Sequence, residues 1–437
     1  LRRSFPATAG TDRRSAPLME VWLLVIGLLL LAVLRQPVMV LLGAAALFVY
    51  AVWNDGRPEY ALYDVWFAVN QDVLLAIPLF VLAGAVMSAG TIAQRIIALM
   101  RELTRPIPGG LALAAVLSCA GFAAISGSAA VTLLAVGGIM YSALTESGYS
   151  KGFAIGALCA GGVLGIIIPP SIPLILYGYI TQVSISQLFL AGIGPALVLV
   201  MIFSVYAVAR NARNREGGWR PRQIAQAAAR AGFALLVPVV ILGGIYTGWF
   251  TVTEAAAVAV ATAVIVEVFI HRDLPIPKLK DVAIDSAKLL GSLYPILAFA
   301  FALNVFLTAE GVPKALVTEL AGVIGSPVEF MVAANALLLL VGMFIDAGSA
   351  TLVLAPLLQP LAAAQGIDPV HFGIMMIVNL GIGYLTPPMG LNLIVAMAAF
   401  RESFATVCKA VLPFIALMLL GLWIVAAFPQ VALSLVR

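Results

Sequence analysis

From residue 18 onward the chain is a series of long apolar runs parted by short polar segments, without the apolar–polar alternation of barrel strands. A helix needs about 20 apolar residues to cross a bilayer. On that measure full passages fall at 18–34, 38–53, 65–88, 152–180, 186–209, 231–249, 252–270, 288–309, 371–400 and 409–435. Two further regions, 111–142 and 333–364, are interrupted near their middles by small and polar residues. They are expected to be hairpins that enter and leave on one side. The fold expected is an all-α polytopic membrane protein with about ten crossing helices and two reentrant helical hairpins.

Composition agrees. The apolar set makes up 63% of the 437 residues and charged residues only 10%, against roughly 25% charged in soluble domains. Net charge is +4, and most of it comes from Arg2, Arg3, Arg13 and Arg14, so no basic footprint for nucleic acid remains. Cys119, Cys159 and Cys408 sit in apolar runs and give no disulfide framework, and His271 and His371 give no zinc pattern. The chain has no GxxxxGK[ST] phosphate loop to bring in ATP and no HExxH motif, so neither an ATPase nor another enzyme is expected.

Residues 1–17 are polar and Arg-rich, and Met19 immediately precedes the apolar run that comes next. This segment is expected to be an upstream extension or an alternative start. A cleaved secretory signal fits less well, because the run from Val21 to Leu34 ends without a small-residue cleavage site. If the hairpins do not cross, one side carries Arg35; Arg95, Arg101, Arg105 and Lys151; Arg210, Arg213, Arg215, Arg220, Arg222 and Arg230; Arg272, Lys278, Lys280 and Lys288; Arg401 and Lys409. The other side carries Arg57, Lys314 and Arg437, with the arginines of the extension set aside. The bias makes the first side cytoplasmic and turns both termini outward.

An internal repeat organises the chain. Gly165-Ile166-Ile167-Ile168-Pro169-Pro170 aligns with Gly383-Tyr384-Leu385-Thr386-Pro387-Pro388 at a shift of 218, which also carries Gly148 onto Gly366. A hairpin precedes each segment: Ser128 lies 41 residues before Pro169, and Asp346 lies 41 before Pro387. Four crossings and one hairpin separate the two broken passages, so the repeats have inverted topology, with two discontinuous helices. That is the signature of secondary transporters, whose site lies at the repeat interface near the midplane.

Proline lacks an N–H and clashes with the carbonyl four residues back, so Pro169, Pro170, Pro387 and Pro388 free the carbonyls of Gly165, Ile166, Gly383 and Tyr384. Hard cations prefer oxygen ligands, and Na⁺ suits such carbonyls and the negative ends of half-helices, while half-helix N-termini can face an anion. The other reading is a pair of packing kinks whose carbonyls are met by Ser, Thr or water. The hairpin interruptions, Ile125-Ser126-Gly127-Ser128 and Asp346-Ala347-Gly348-Ser349-Ala350-Thr351, add side-chain oxygens. A carboxylate at membrane depth costs about 2.5–3.5 kcal/mol by insertion scales, so Asp346 is either paired or functional there, or else caps a half-helix near the outer interface. Ser126 and Ser128 could equally permit close helix packing. Asn392 offers an amide and Ser171 a hydroxyl, and either could serve only to satisfy the broken backbone.

Three weaker patterns have structural readings. Thr251 and Glu254 form a capping box, and Glu267 with His271, one turn apart, reads as a surface pair. Gly152 with Gly156, and Gly161 with Gly165, give small-residue faces for packing.

The stretches FAAISGSAAV (122–131), LGIIIPPSIPLILYGYITQVSISQLFLAGIGPALVL (164–198) and DPVHFGIMMIVNLGIGYLTPPMGLNLIVA (368–396) resemble the large membrane subunit of tripartite ATP-independent periplasmic (TRAP) transporters. IPLFVLAGAVMSAG (77–90) and TVTEAAAVA (251–259) resemble that family too, so the likeness runs from Met19 to the C-terminus. It implies a multi-pass protein of the bacterial inner membrane that works with a small four-helix membrane subunit. It also implies a periplasmic substrate-binding protein delivering an organic acid, often a C4-dicarboxylate, a sialic acid or another carboxylate.

The resemblance further implies uptake coupled to Na⁺, with no cofactor, by an elevator-like movement of a transport domain against a scaffold. Carried onto this chain, 111–180 and 333–400 form the transport domain, 18–110, 181–332 and 401–437 supply scaffold and connecting helices, and 1–17 is the extension. The ion-site candidates are Ser126, Gly127, Ser128, Gly165, Pro169, Pro170, Asp346, Ser349, Thr351, Gly383, Thr386 and Pro387, with Ser171, Pro388 and Asn392 added by the broken-backbone reading. The extension is not part of the family pattern. It could be the remnant of a junction with a fused small subunit, but no four-helix unit precedes it, so a separate small subunit is expected. A stand-alone ion-coupled carboxylate or anion carrier is the alternative, and a scaffold or channel subunit without coupled transport a third reading.

Overall fold

A computed structural model describes residues 17–34, 36–53, 57–214, 217–320 and 325–436, and contains no strand among them. Residues 1–16 of the N-terminal extension, together with Arg35, Arg215 and Arg437 of the charge comparison, lie outside the described residues. Helices α1 (Pro17–Val33), α2 (Val38–Trp53) and α3 (Glu59–Val69) lead through a 3₁₀ turn, Asp72–Leu75, into α4 (Ala76–Ala89) and α5 (Ile92–Thr104). The first hairpin is α6 (Gly110–Ser126) and α7 (Ala129–Glu146), followed by a broken passage, α8 (Lys151–Val163) and α9 (Ile172–Thr181). Next come α10 (Ile185–Arg210), α11 (Pro221–Tyr246), α12 (Val252–Val264) with a π-helical end at Ile265–Ile270, α13 (Ile276–Ala309) and α14 (Val312–Leu320). The second hairpin, α15 (Pro327–Gly342) and α16 (Ala347–Ala364), precedes the second broken passage, α17 (Pro369–Gly383) and α18 (Leu391–Phe400). Helices α19 (Phe404–Ala427) and α20 (Gln430–Leu433) end the chain.

Eight described helices are long and apolar enough to cross a membrane, and the shorter apolar ones include the remaining hairpin legs and the halves of both broken passages. Two compact units divide the chain. One holds the described residues up to Val69 with Tyr294–Glu310, and the other holds Asn70–Leu293 and Gly311 onward. In the first unit the buried ring of Tyr50 packs with Val49, Ala61, Ala302 and Phe306. Its hydroxyl lies against the Asp64 carboxylate and 3.1 Å from the Ala302 carbonyl. The second unit holds both halves of the repeat.

The repeat is carried by the backbone. At the shift of 218, α7 falls residue for residue on α16, and Gly148 and Gly366 both take positive φ, 82° and 74°. The N-caps Ser128 and Asp346, and Ser150 and Asp368, also correspond. Beyond the double prolines the register grows by one residue, so that Ile172–Thr181 falls on Leu391–Phe400.

Hydropathy misplaced some elements. The passage expected at 65–88 is two helices, because the polar Asn70-Gln71-Asp72 breaks the run and α4 follows only after a 3₁₀ turn. Helices α11 and α13 begin well before 231 and 288, their leading turns carrying charges such as Arg222 and Arg230, and Lys278, Lys280, Asp281 and Asp285. Two amphipathic helices were not expected. The first, α5, buries Ile92, Ala93, Ile96 and Ile97 on one face while Arg95 and Arg101 lie outside that buried set. The second, α14, occupies the matching place in the other half of the repeat.

The capping box at Thr251 and Glu254 is present. Glu267 and His271, in contrast, are not a surface pair. The Glu267 side chain is fully buried and that of His271 is 5% exposed, because the end of α12 turns inward against the start of α5.

Candidate functional site

Each broken passage leans on the tip of its own hairpin. In the first half, α6 ends at Gly127, whose φ of +61° glycine adopts at little cost, and α7 begins after Ser128. Ser126 is buried, its Oγ 2.6 Å from Thr132 Oγ1 and 3.3 Å from the Ser128 carbonyl. Ser128 stands at the N-cap with extended backbone, yet its side chain makes no capping bond. The break closes on this tip: a Cβ at Gly165 would fall 2.5 Å from the Ser128 carbonyl oxygen, and one at Gly127 would fall 2.8 Å from that of Pro170. The Pro169–Pro170 peptide is cis. Ser171 is fully buried, donates to the Ile166 carbonyl at 2.5 Å and accepts from Leu174 N–H at 3.4 Å, so one hydroxyl caps α9 and meets a carbonyl that the prolines freed.

In the second half Asp346 is the N-cap of α16. Its carboxylate accepts from Ser349 N–H at 2.9 Å and from Ser349 Oγ at 2.7 Å, and Thr351 Oγ1 donates to the Ala347 carbonyl at 2.6 Å. Tyr384 enters from the break and accepts the Ala347 N–H at 2.8 Å. Gly383 presses on the end of α15, where a Cβ would come within 2.4 Å of Gly342 backbone. Two freed carbonyls are met here: Gly383 accepts from Thr386 N–H at 3.0 Å and Tyr384 from Asn392 N–H at 3.1 Å. Thr386 Oγ1 donates to Ile382 at 2.8 Å, and the Pro387–Pro388 peptide is also cis.

The halves exchange partners. Helix α9 packs on α16 of the second hairpin and α18 on α7 of the first. Asn392 ties the breaks together, its amide nitrogen donating to the Cys159 carbonyl on α8 at 3.1 Å. Among the described residues no hydrogen bond joins Ser126 or Ser128 to Asp346.

Three polar side chains near these breaks escaped the sequence reading: those of Thr132, Tyr384 and Asn379. Asn379 carries the same signal as Asn392, an amide inside an apolar helix; it donates to the carbonyl of Asn335 at 2.9 Å and to its Oδ1 at 2.7 Å. The side-chain oxygens of both Asn379 and Asn392 are buried without a hydrogen-bond partner. Such oxygens, with carbonyls that keep a second lone pair, suit a hard cation.

The family model described as Tripartite ATP-independent periplasmic transporter, DctM component, matches residues 25–431. The chain is 37% identical to the C4-dicarboxylate TRAP transporter large permease protein DctM of Vibrio cholerae over 94% of this chain and 96% of that one. It is 41% identical to the DctM of Pseudomonas aeruginosa over 83% and 86%. Other relatives are named for sialic acid and for 2,3-diketo-L-gulonate. The fold is similar to the crystal structure of the Alcanivorax borkumensis YdaH transporter, with a TM-score of 0.55 at 16% identity over 96% of this chain and 99% of that one. Permeases of this kind are multi-pass inner-membrane transport proteins, not enzymes, and work with a small membrane subunit and a substrate-binding protein. With two hairpins, two broken passages and a match over nearly its whole length, the chain belongs to the DctM component family, the large permeases of tripartite ATP-independent periplasmic transporters.

Proposed function

We propose that this permease imports an organic acid, a carboxylate such as a C4-dicarboxylate or a sialic acid, with Na⁺ as the co-transported coupling ion. The acid is handed over by a periplasmic binding protein, and a separate four-helix membrane subunit completes the complex. Residues 111–180 and 333–400 move as the transport domain, in an elevator-like step against the remaining helices.

The observation that carries this reading is the pairing of each proline break with a hairpin tip, with Asp346 the one acidic residue at either tip or break. The Asp346 carboxylate at the second tip, and at the second break the Thr386 hydroxyl and the unpartnered amide oxygen of Asn392, are hard donors of the kind Na⁺ takes. The uncapped start of α7 offers N–H groups and a positive dipole end to a carboxylate.

The test is uptake of labelled carboxylates into proteoliposomes holding this chain with its small subunit. Uptake that needs both the binding protein and an inward Na⁺ gradient is expected. Na⁺-driven uptake without the binding protein would make the chain a stand-alone carrier, and uptake indifferent to Na⁺ would remove the coupling ion.

A further inference from the structure

The end of α12 carries a cluster whose residues lie outside the hairpins and the breaks. Glu267, fully buried, accepts from Ile92 N–H at 3.0 Å and from Thr91 N–H at 3.1 and 3.2 Å. Thr91, the N-cap of α5, makes no capping bond with its own side chain, so Glu267 caps that helix from 176 residues away. The approach is close enough that a Cβ at Gly90 would fall 2.1 Å from the Glu267 carboxyl carbon. Asp273 joins from beyond the π-helical end, accepting from Thr91 Oγ1 at 2.6 Å and from Arg95 at 3.2 Å.

His271 remains. Its side chain is 5% exposed and Nδ1 is buried with no hydrogen-bond partner. Nδ1 points at Glu267 Oε2 from 3.7 Å, too far for a hydrogen bond. Ligand atoms of Glu267, His271 and Asp273 all lie within 4.8 Å of one another. Metal–nitrogen and metal–oxygen bonds of about 2.0–2.2 Å let two ligand atoms of one ion stand no more than about 4.4 Å apart, so the His271–Glu267 gap fits a shared ion. Asp273, the most exposed of the three, would close the remaining distance by a turn of its side chain.

We propose that His271 Nδ1, Glu267 and Asp273 form a binding site for a first-row divalent cation such as Zn²⁺, pinning the end of α12 to the start of α5. One imidazole nitrogen with two carboxylates favours such an ion over Mg²⁺ or Ca²⁺, which prefer oxygen alone. The site is separate from the hairpins and breaks.

The experiment titrates the full chain, purified in detergent and freed of any histidine tag, with Zn²⁺ and with Co²⁺ as a coloured substitute. Expected are one strongly bound Zn²⁺ per chain, a raised melting temperature, and Co²⁺ absorption of a four- or five-coordinate ion. H271Q leaves the Glu267 cap in place, so it should keep the metal-free melting temperature while losing affinity by on the order of tenfold or more. H371Q should bind as the wild type does. Absence of Zn²⁺ binding, or binding that survives H271Q unchanged or vanishes only in H371Q, overturns the proposal and gives the Nδ1 proton or lone pair to water.

Discussion

At the N-cap of α7, Ser128 keeps its hydroxyl off the helix, whereas at the matching N-cap of α16 Asp346 closes its carboxylate on Ser349. The break that follows differs in the same way. Ser171 satisfies the first from inside, while the second has one more residue, Gly390 in place of a capping serine, and Thr386 and Asn392 turned back on the chain. A duplicated backbone has therefore kept a glycine of each break pressed against its own hairpin and changed its charge. One tip presents helix N–H groups and the other a carboxylate, a division suited to a carrier of an anion with a cation.

The largest expected effect is at the charged tip. Asn is as good an N-cap as Asp, so Asp346→Asn should keep the helix and the melting temperature but abolish Na⁺-dependent uptake. Asp346→Ala should lose uptake and about 1 kcal/mol of stability besides, whereas Ser128→Ala, with no capping bond to lose, should leave stability unchanged. Melting curves and uptake at graded Na⁺ check this. Unaltered Na⁺ dependence in Asp346→Asn would reduce Asp346 to a cap and erase the functional contrast between the halves.

What the halves share is tested by their glycines. Gly165→Ala and Gly383→Ala each drive a Cβ into backbone, at 2.5 Å and 2.4 Å, and neither neighbour can rotate away. Each should cost about 3 kcal/mol, seen as a lowered melting temperature in detergent. Gly152→Ala, with nothing within 4 Å, should melt as the wild type does. Loss in one half alone would mean that only that break is held by its hairpin tip.

The repeat was legible because double proline with glycine is rare enough to align by eye, and because the hairpins announce themselves by small residues inside apolar runs. Amphipathic α5 and α14 were not, since hydropathy alone rewards unbroken apolar stretches and both helices carry charge on one face. The candidate residues were found as residue types, but their partners were not. Ser171 on Ile166, Tyr384 on Ala347 and Asn392 on Cys159 depend on how the chain returns to itself, which no spacing encodes. Glu267 and His271 show the cost of local reading: one turn apart they look like a surface pair, and the start of α5, which receives the buried Glu267, lies far off in sequence.

A smaller effect is expected at Ser171. Its Ala variant removes the α9 cap and leaves the Ile166 carbonyl without that donor, a loss of about 1–2 kcal/mol in thermal unfolding. The second half has glycine at this place, so Gly390→Ser should not bring a matching gain, its φ of +44° being one that serine adopts poorly. A gain there would mean that the two breaks are closer in structure than their capping indicates.

The smallest effect belongs to a tie that the repeat makes only once. Glu402, in the turn before α19, accepts from Lys151 Nζ at 3.0 Å and from Tyr141 at 2.8 Å, joining the second half to α7 and α8 of the first. Proline stands at the position matching Lys151, so the mirror tie cannot form. The hydrogen bond from Lys151, then that from Tyr141, holds the Glu402 carboxyl below its ordinary value of 4.5. A depressed carboxyl stabilises the fold above that value and loses its contribution as pH falls through the lowered one. Lys151→Met should therefore melt close to the wild type near neutral pH, the lysine being 68% exposed, and differ mainly in a shallower loss of stability on acidification below about pH 4.5. A drop at neutral pH as large as that of Ser171→Ala would show that this unrepeated contact, rather than the shared glycines, holds the two halves in register.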